Sequence, residues 1–193
     1  MQRLTTYRKP IVTAFCGALV AFLFAAMGIA QEQSLTAQMD GWFAELADPD
    51  NSGWQRAEAD IQREWSKSGS PAFDLLLQRG RAAIAAGDVE AAIEHLTALT
   101  DQAPDFAEGW NARATAYYLA GLYGPSIVDI EHVLALEPRH FGAIAGLGLI
   151  LRETDREADA MRAFRESLAI HPHQDGISQA LKELEKTASG TDI

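Results

Sequence analysis

Two short stretches of this 193-residue chain carry side chains that could do chemistry at close spacing. Asp48-Pro49-Asp50-Asn51-Ser52-Gly53 sets oxygen-bearing side chains at alternating positions before a glycine, the opening of a calcium loop. A loop of that kind closes with a bidentate glutamate at its twelfth position. Here that position is Ala59, and Pro49 stiffens the loop, so the stretch reads as a turn leading into a helix. His171-Pro172-His173 offers two imidazoles, but no cysteine or suitably spaced third ligand accompanies them. His95, His132 and His140 stand alone, and His95 and His132 are expected near helix surfaces. No glycine-rich phosphate loop, serine elbow or fold-linked carboxylate pair is present. The expectation is therefore a protein without catalytic residues, metal or cofactor, which acts by binding.

The amino terminus reads as a leader. Arg3, Arg8 and Lys9 precede an uncharged apolar run from Pro10 to Ala30, and Gly28 and Ala30 put small side chains before polar Gln31-Glu32-Gln33. A basic segment, an apolar segment and a small-residue cleavage site make a secretory signal over residues 1–30. An uncleaved anchor is the alternative, because about 20 apolar residues can span a bilayer. Cys16 is the only cysteine and would leave with the signal. Removing residues 1–30 takes three of the 16 basic residues and none of the 27 acidic ones, which leaves a net charge of −14. That balance argues against nucleic acid and anionic lipid as partners, since both need a basic footprint.

Stepping along the chain, Pro104, Pro138 and Pro172 lie 34 residues apart, and the same shift aligns other positions. Gly80, Ala114 and Gly148 are all small, as are Ala92, Ser126 and Ala160. Leu96, Ile130 and Phe164 are all large, as are Leu76, Trp110 and Ile144. Apolar residues between these marks recur at helical spacing, as in Ala92, Leu96 and Leu99 or Ile127, Ile130 and Leu134. Gly87-Asp88 and Gly124-Pro125 mark helix starts. No stretch alternates with strand period.

This pattern resembles the tetratricopeptide repeat (TPR), of the kind found in small exported bacterial proteins. The resemblance implies an all-α helical-repeat solenoid. Repeats are expected at 73–106, 107–140 and 141–174, with a helical amino-terminal flank at 31–72, a capping helix at 175–188 and a frayed tail at 189–193. Short helices at Leu35–Leu46 and Trp54–Trp65 would form that flank, with Trp42, Phe43, Trp54 and Trp65 covering the first repeat. The resemblance further implies a concave groove lined by the first helix of each repeat. Its lining would be Asp74, Leu77, Arg81 and Ile84, then Glu108, Asn111, Thr115 and Tyr118, then Ala145, Leu149 and Arg152. The lysine and asparagine clamp that one TPR subclass uses for chaperone tails is absent, because those columns hold Leu77, Arg81, Ala112, Gly142 and Gly146. The expected function is a periplasmic adaptor that docks a protein or peptide segment in the groove. The alternative is a structural part of an envelope assembly that self-associates or works through the tryptophan-rich flank. Oligomeric state stays open.

Overall fold

The computed structural model describes residues 33–190, so the leader, Cys16 and residues 191–193 lie outside the described part. Backbone packing separates residues 1–41 from residues 42–193. Of the first unit, the described residues form the opening turns of helix α1, which runs over 33–47. The second unit continues with α2 (Trp54–Trp65), α3 (Pro71–Ala86), α4 (Val89–Gln102), α5 (Ala107–Leu119), α6 (Tyr123–Leu136), α7 (Phe141–Glu153), α8 (Glu157–Ile170) and α9 (Asp175–Ala188). Among the described residues there is no strand, and no helix is long and apolar enough to cross a membrane.

Helices α3 and α4, α5 and α6, and α7 and α8 pack as successive hairpins, and each second helix also packs on the next first helix. The small-residue column explains how they come so close. A Cβ on Gly80 would lie 2.4 Å from Leu96 Cγ, and one on Gly148 would lie 2.5 Å from the Phe164 ring. Both partners are fully buried. In the middle hairpin Ala114 takes this place, and Ser126 Oγ donates to its carbonyl at 2.7 Å.

The helix ends follow local chemistry. Gly87 closes α3 at φ +76°, and the Asp88 side chain accepts from Ala91 N to open α4. Helix α6 begins at Tyr123, two residues before Pro125. Proline is tolerated there because first-turn amides have no partner within the helix.

Three apolar clusters follow the hairpins. Leu77, Ala92, Leu96 and Leu99 meet Ala112 and Ala116; Ala114, Ile130 and Val133 meet Ala143 and Ile150. The last cluster holds Ile144, Leu151, Ala160, Ala163 and Phe164, closed by Ala180 and Leu184 of α9. Each hairpin is thus sealed by its successor, and α9 seals the last.

The flank departs from expectation. From Trp42 onward its tryptophan rings seat on turns further along the solenoid, while Ser66 at the end of α2 still accepts from Arg81 of the first repeat. Trp65 stacks on His140 with ring centroids 4.2 Å apart, and Trp54 stacks on His173 at 4.7 Å. Both seats are turns of the second half of the solenoid. The physical reason is aromatic: flat indole rings find flat imidazole partners in those turns, while the first turn offers Phe106.

Candidate binding groove

The expected lining divides into four fates. Asp74 sits at the start of α3, where its Oδ1 accepts from Ser68 N at 2.9 Å and Ser68 Oγ at 2.6 Å. These bonds hold its carboxyl below the usual range, although burial opposes them. It closes a turn and lines neither cavity described below. Leu77 is 2% exposed and lies in the first core cluster, with Ile84 packed against it. Small Ala112 and Ala116 on α5 admit Leu77, which is a core residue, and this corrects its groove assignment; Ile84 is half-buried against the same cluster and lines neither cavity described below. Arg152 pairs with neighbouring Glu153 at 3.2 Å and lines neither groove cavity described below.

The remaining residues line two neighbouring cavities. The first, about 360 Å³, is polar: Arg81, Glu108, Asn111 and His140 lie under Trp65. Glu108 is 6% exposed and fully engaged. Its Oε1 accepts from Arg81 Nη2 at 2.5 Å and Asn111 Nδ2 at 3.1 Å, and its Oε2 faces His140 Nε2 at 3.0 Å. Because His140 Nδ1 accepts from Ala143 N at 3.1 Å, Nε2 is the donor to Glu108. Burial alone would raise the Glu108 carboxyl, but His140, Arg81 and Asn111 outweigh it and hold the group below its ordinary 4.5. Arg81 also donates to Ser66 Oγ at 3.0 Å, which ties α3 to the end of α2.

The second cavity, about 300 Å³, is apolar and lies between α5 and α7. Gly142, Ala143, Ala145 and Gly146 line it from α7, alongside Tyr118, Leu119, Leu149 and Ile130, with Asn111 and Thr115 at one end. The glycines keep it open. A Cβ on Gly146 would meet only Ile130 Cδ1 at 3.8 Å, an ordinary contact, so space and not collision separates this position from Gly148. Asn111 and Gly142 belong to both cavities, which join into one groove of polar and apolar halves.

Several participants were not expected. His140 looked isolated because its partners Glu108 and Trp65 lie 32 and 75 positions away. Gly142 and Gly146 were set aside as columns of a missing clamp, yet their lack of a side chain is what opens the cavity. Arg113 and Asp129 form a buried pair outside the groove: Nε and Nη2 donate to Oδ2 and Oδ1 at 2.7 and 2.8 Å, and Nη1 donates to Thr100 Oγ1 at 2.7 Å. An aspartate on the apolar face of α6, beside Ile130 and Val133, was its signal.

The residues of the suspected calcium loop serve their own turn. Asp48 Oδ1 accepts from Asp50 N at 3.0 Å, and Asn51 Oδ1 accepts from Gly53 N at 2.9 Å. Among the described residues, no three His, Cys, Asp or Glu side chains gather to hold a metal ion.

Stacked helical hairpins with a groove along their first helices define a helical-repeat binding scaffold as the class of protein. The tetratricopeptide repeat family model matches residues 73–140. A TPR repeat-containing protein of Rhizobium etli is 35% identical over 156 residues, covering 79% of this chain and 76% of that one. The chain belongs to the tetratricopeptide repeat family. Among solved structures, the Sgt2 TPR domain from Aspergillus fumigatus aligns with TM-score 0.59 at 22% identity, over 64% of this chain and 83% of that domain. The first TPR of Spaghetti (RPAP3), bound to the HSP90 peptide SRMEEVD, aligns with TM-score 0.57 at 18% identity, over 60% and 91%. These two similarities are of fold.

Proposed function

We propose that the protein is a non-enzymatic adaptor of the cell envelope that docks a segment of a protein partner by seating an apolar side chain between α5 and α7. The observation that carries this reading is the apolar cavity whose glycines leave room for a guest side chain beside Tyr118 and Leu149. A concave pocket with a few polar groups at one end is the usual form of a side-chain receptor. The related fold solved with an HSP90 peptide supports segment binding as the mode, while the absent clamp columns argue for a different ligand. The basic and apolar amino terminus supports export.

The test is in-cell photo-crosslinking from position 118, with position 159 on α8 as control. A discrete adduct from 118 alone, lost in Gly146→Leu, is the expected result. Adducts that survive Gly146→Leu would overturn the cavity as receptor. Mass spectrometry of the secreted chain should find Gln31 as the first residue; a retained leader would favour the anchored form. The tryptophan-flank form of the assembly alternative has less support, because Trp54 and Trp65 stack on the chain's own turns.

A further inference from the structure

The segment from Trp42 to Trp65 borders the polar half of the groove with its last turn and acts as a strap; Leu46, Ala57 and Ile61 are fully buried, and its contacts to the solenoid turns centre on aromatic rings. Trp65 covers His140 and directs Nε1 to Glu137 Oε2 at 3.3 Å, and it forms part of the wall of the polar cavity. Arg139 lies 4.0 Å over the Phe43 ring. At the other end Trp54 covers His173, whose Nε2 faces the Asp48 carbonyl at 3.0 Å. The strap joins α3 through Ser66-Lys67-Ser68-Gly69-Ser70, with Gly69 at φ +77°.

One buried ring nitrogen beneath the strap is left without a hydrogen bond. His171 is 2% exposed, and its Nδ1 has no hydrogen bond. Trp54 lies on one side with centroids 5.4 Å apart, and Phe141 meets the ring edge-on at 4.9 Å. The titratable groups facing it are Glu58 of α2, 3.6 Å from Nε2, and His173 in its own turn. A proton on Nδ1 would place a cationic ring in an aromatic pocket with no acceptor for that N–H. Such a charge is unfavourable unless water reaches it.

We propose that the strap is a releasable latch on the polar half of the groove, docked at neutral pH and let go when His171 takes up a proton. The direction is consistent with the environment of the ring: burial holds His171 below its ordinary 6.5, His173 adds to this, and Glu58 only partly opposes it. The undocked ring therefore takes up its proton first. Docking is undiminished above about pH 6.5 and weakens as pH falls, by at most about tenfold per pH unit for one proton. Release would uncover the Arg81, Glu108 and Asn111 end of the groove and lengthen the surface open to a partner.

The latch gains its biological meaning from the groove reading, but it can be tested on the protein alone. Amide hydrogen exchange on the full mature chain, corrected for intrinsic rates, is compared between pH 7.5 and 5.5. The expected result is lower protection across α2 at pH 5.5, by up to about tenfold for one proton, with α5 and α7 retaining theirs. In His171→Leu, α2 protection should no longer depend on pH. Protection of α2 that is unchanged with pH, lost together with α7, or equally pH-sensitive in His171→Leu overturns the latch. If His171→Leu does not fold, Glu58→Gln serves: removing the carboxylate that partly offsets the charge should enlarge the loss at pH 5.5, and no enlargement overturns the proposal. Crosslinking at position 118 fails or succeeds independently of these exchange results, so the latch and the groove can be judged separately.

Discussion

At the scale of single residues, the two buried ionic centres behave differently because their partners differ. Arg113 and Asp129 are matched two bonds to two, with side chains 11% and 3% exposed. Removing one member strands the other. Asp129→Ala should lower stability by about 3–5 kcal/mol in urea unfolding, because an uncompensated buried charge is left behind. Glu108 instead draws on three donors, from α3, from its own helix α5 and from the turn before α7. Its carboxyl is held below 4.5, so its contribution is present above that pH and is lost as pH falls through the lowered value. Glu108→Gln should flatten the acid limb of the stability curve below pH 4.5; an unchanged acid limb would show that other carboxylates set it. Two glycines two residues apart make an equally sharp pair. Gly148→Ala pushes a methyl group into the Phe164 ring and should cost about 1–3 kcal/mol. Gly146→Leu meets open space and should leave the melting temperature close to that of the natural chain.

At the scale of elements, the hairpins were readable because repeat packing writes itself into columns. Gly80, Ala114 and Gly148 are small for one reason repeated three times, and the prolines mark where each second helix has ended. The groove was readable only in part. Asn111, Thr115, Tyr118 and Leu149 do line it, but Leu77 shares the Asn111 column and still turns into the core. Its partners Ala112 and Ala116 are small, and a column shift says nothing about the neighbour's size. The flank was readable as helices but not as to where it lies. Trp54 and Trp65 find their seats in turns more than seventy residues away, and a non-repeating segment carries no register that could reveal this. Helix α9 was legible from its apolar face alone. Deleting residues from Asp175 onward should unfold the third hairpin first, as read by hydrogen exchange. The loss should be about 1.5–3 kcal/mol for each fully buried Leu or Ile side chain whose burial is lost, since Leu184 closes that cluster and Leu181 and Ile177 pack against it.

At the scale of the whole molecule, stacked hairpins make a chain of neighbours. Each one contacts the next, and stability passes along as a sum of adjacent terms. Most of the fold can therefore form locally, without closing long loops. The strap is the exception. Trp65 meets Glu137 across 72 positions, and His173 meets Asp48 across 125. The strap is made first when the chain is synthesised, but its two histidine seats are made last. Until His140 and His173 have emerged and the third hairpin has closed, α2 lacks its full set of seats. The docked strap thus reports that the solenoid is complete, since a chain truncated before residue 171 would keep the His140 seat of Trp65 but lose the His173 seat of Trp54.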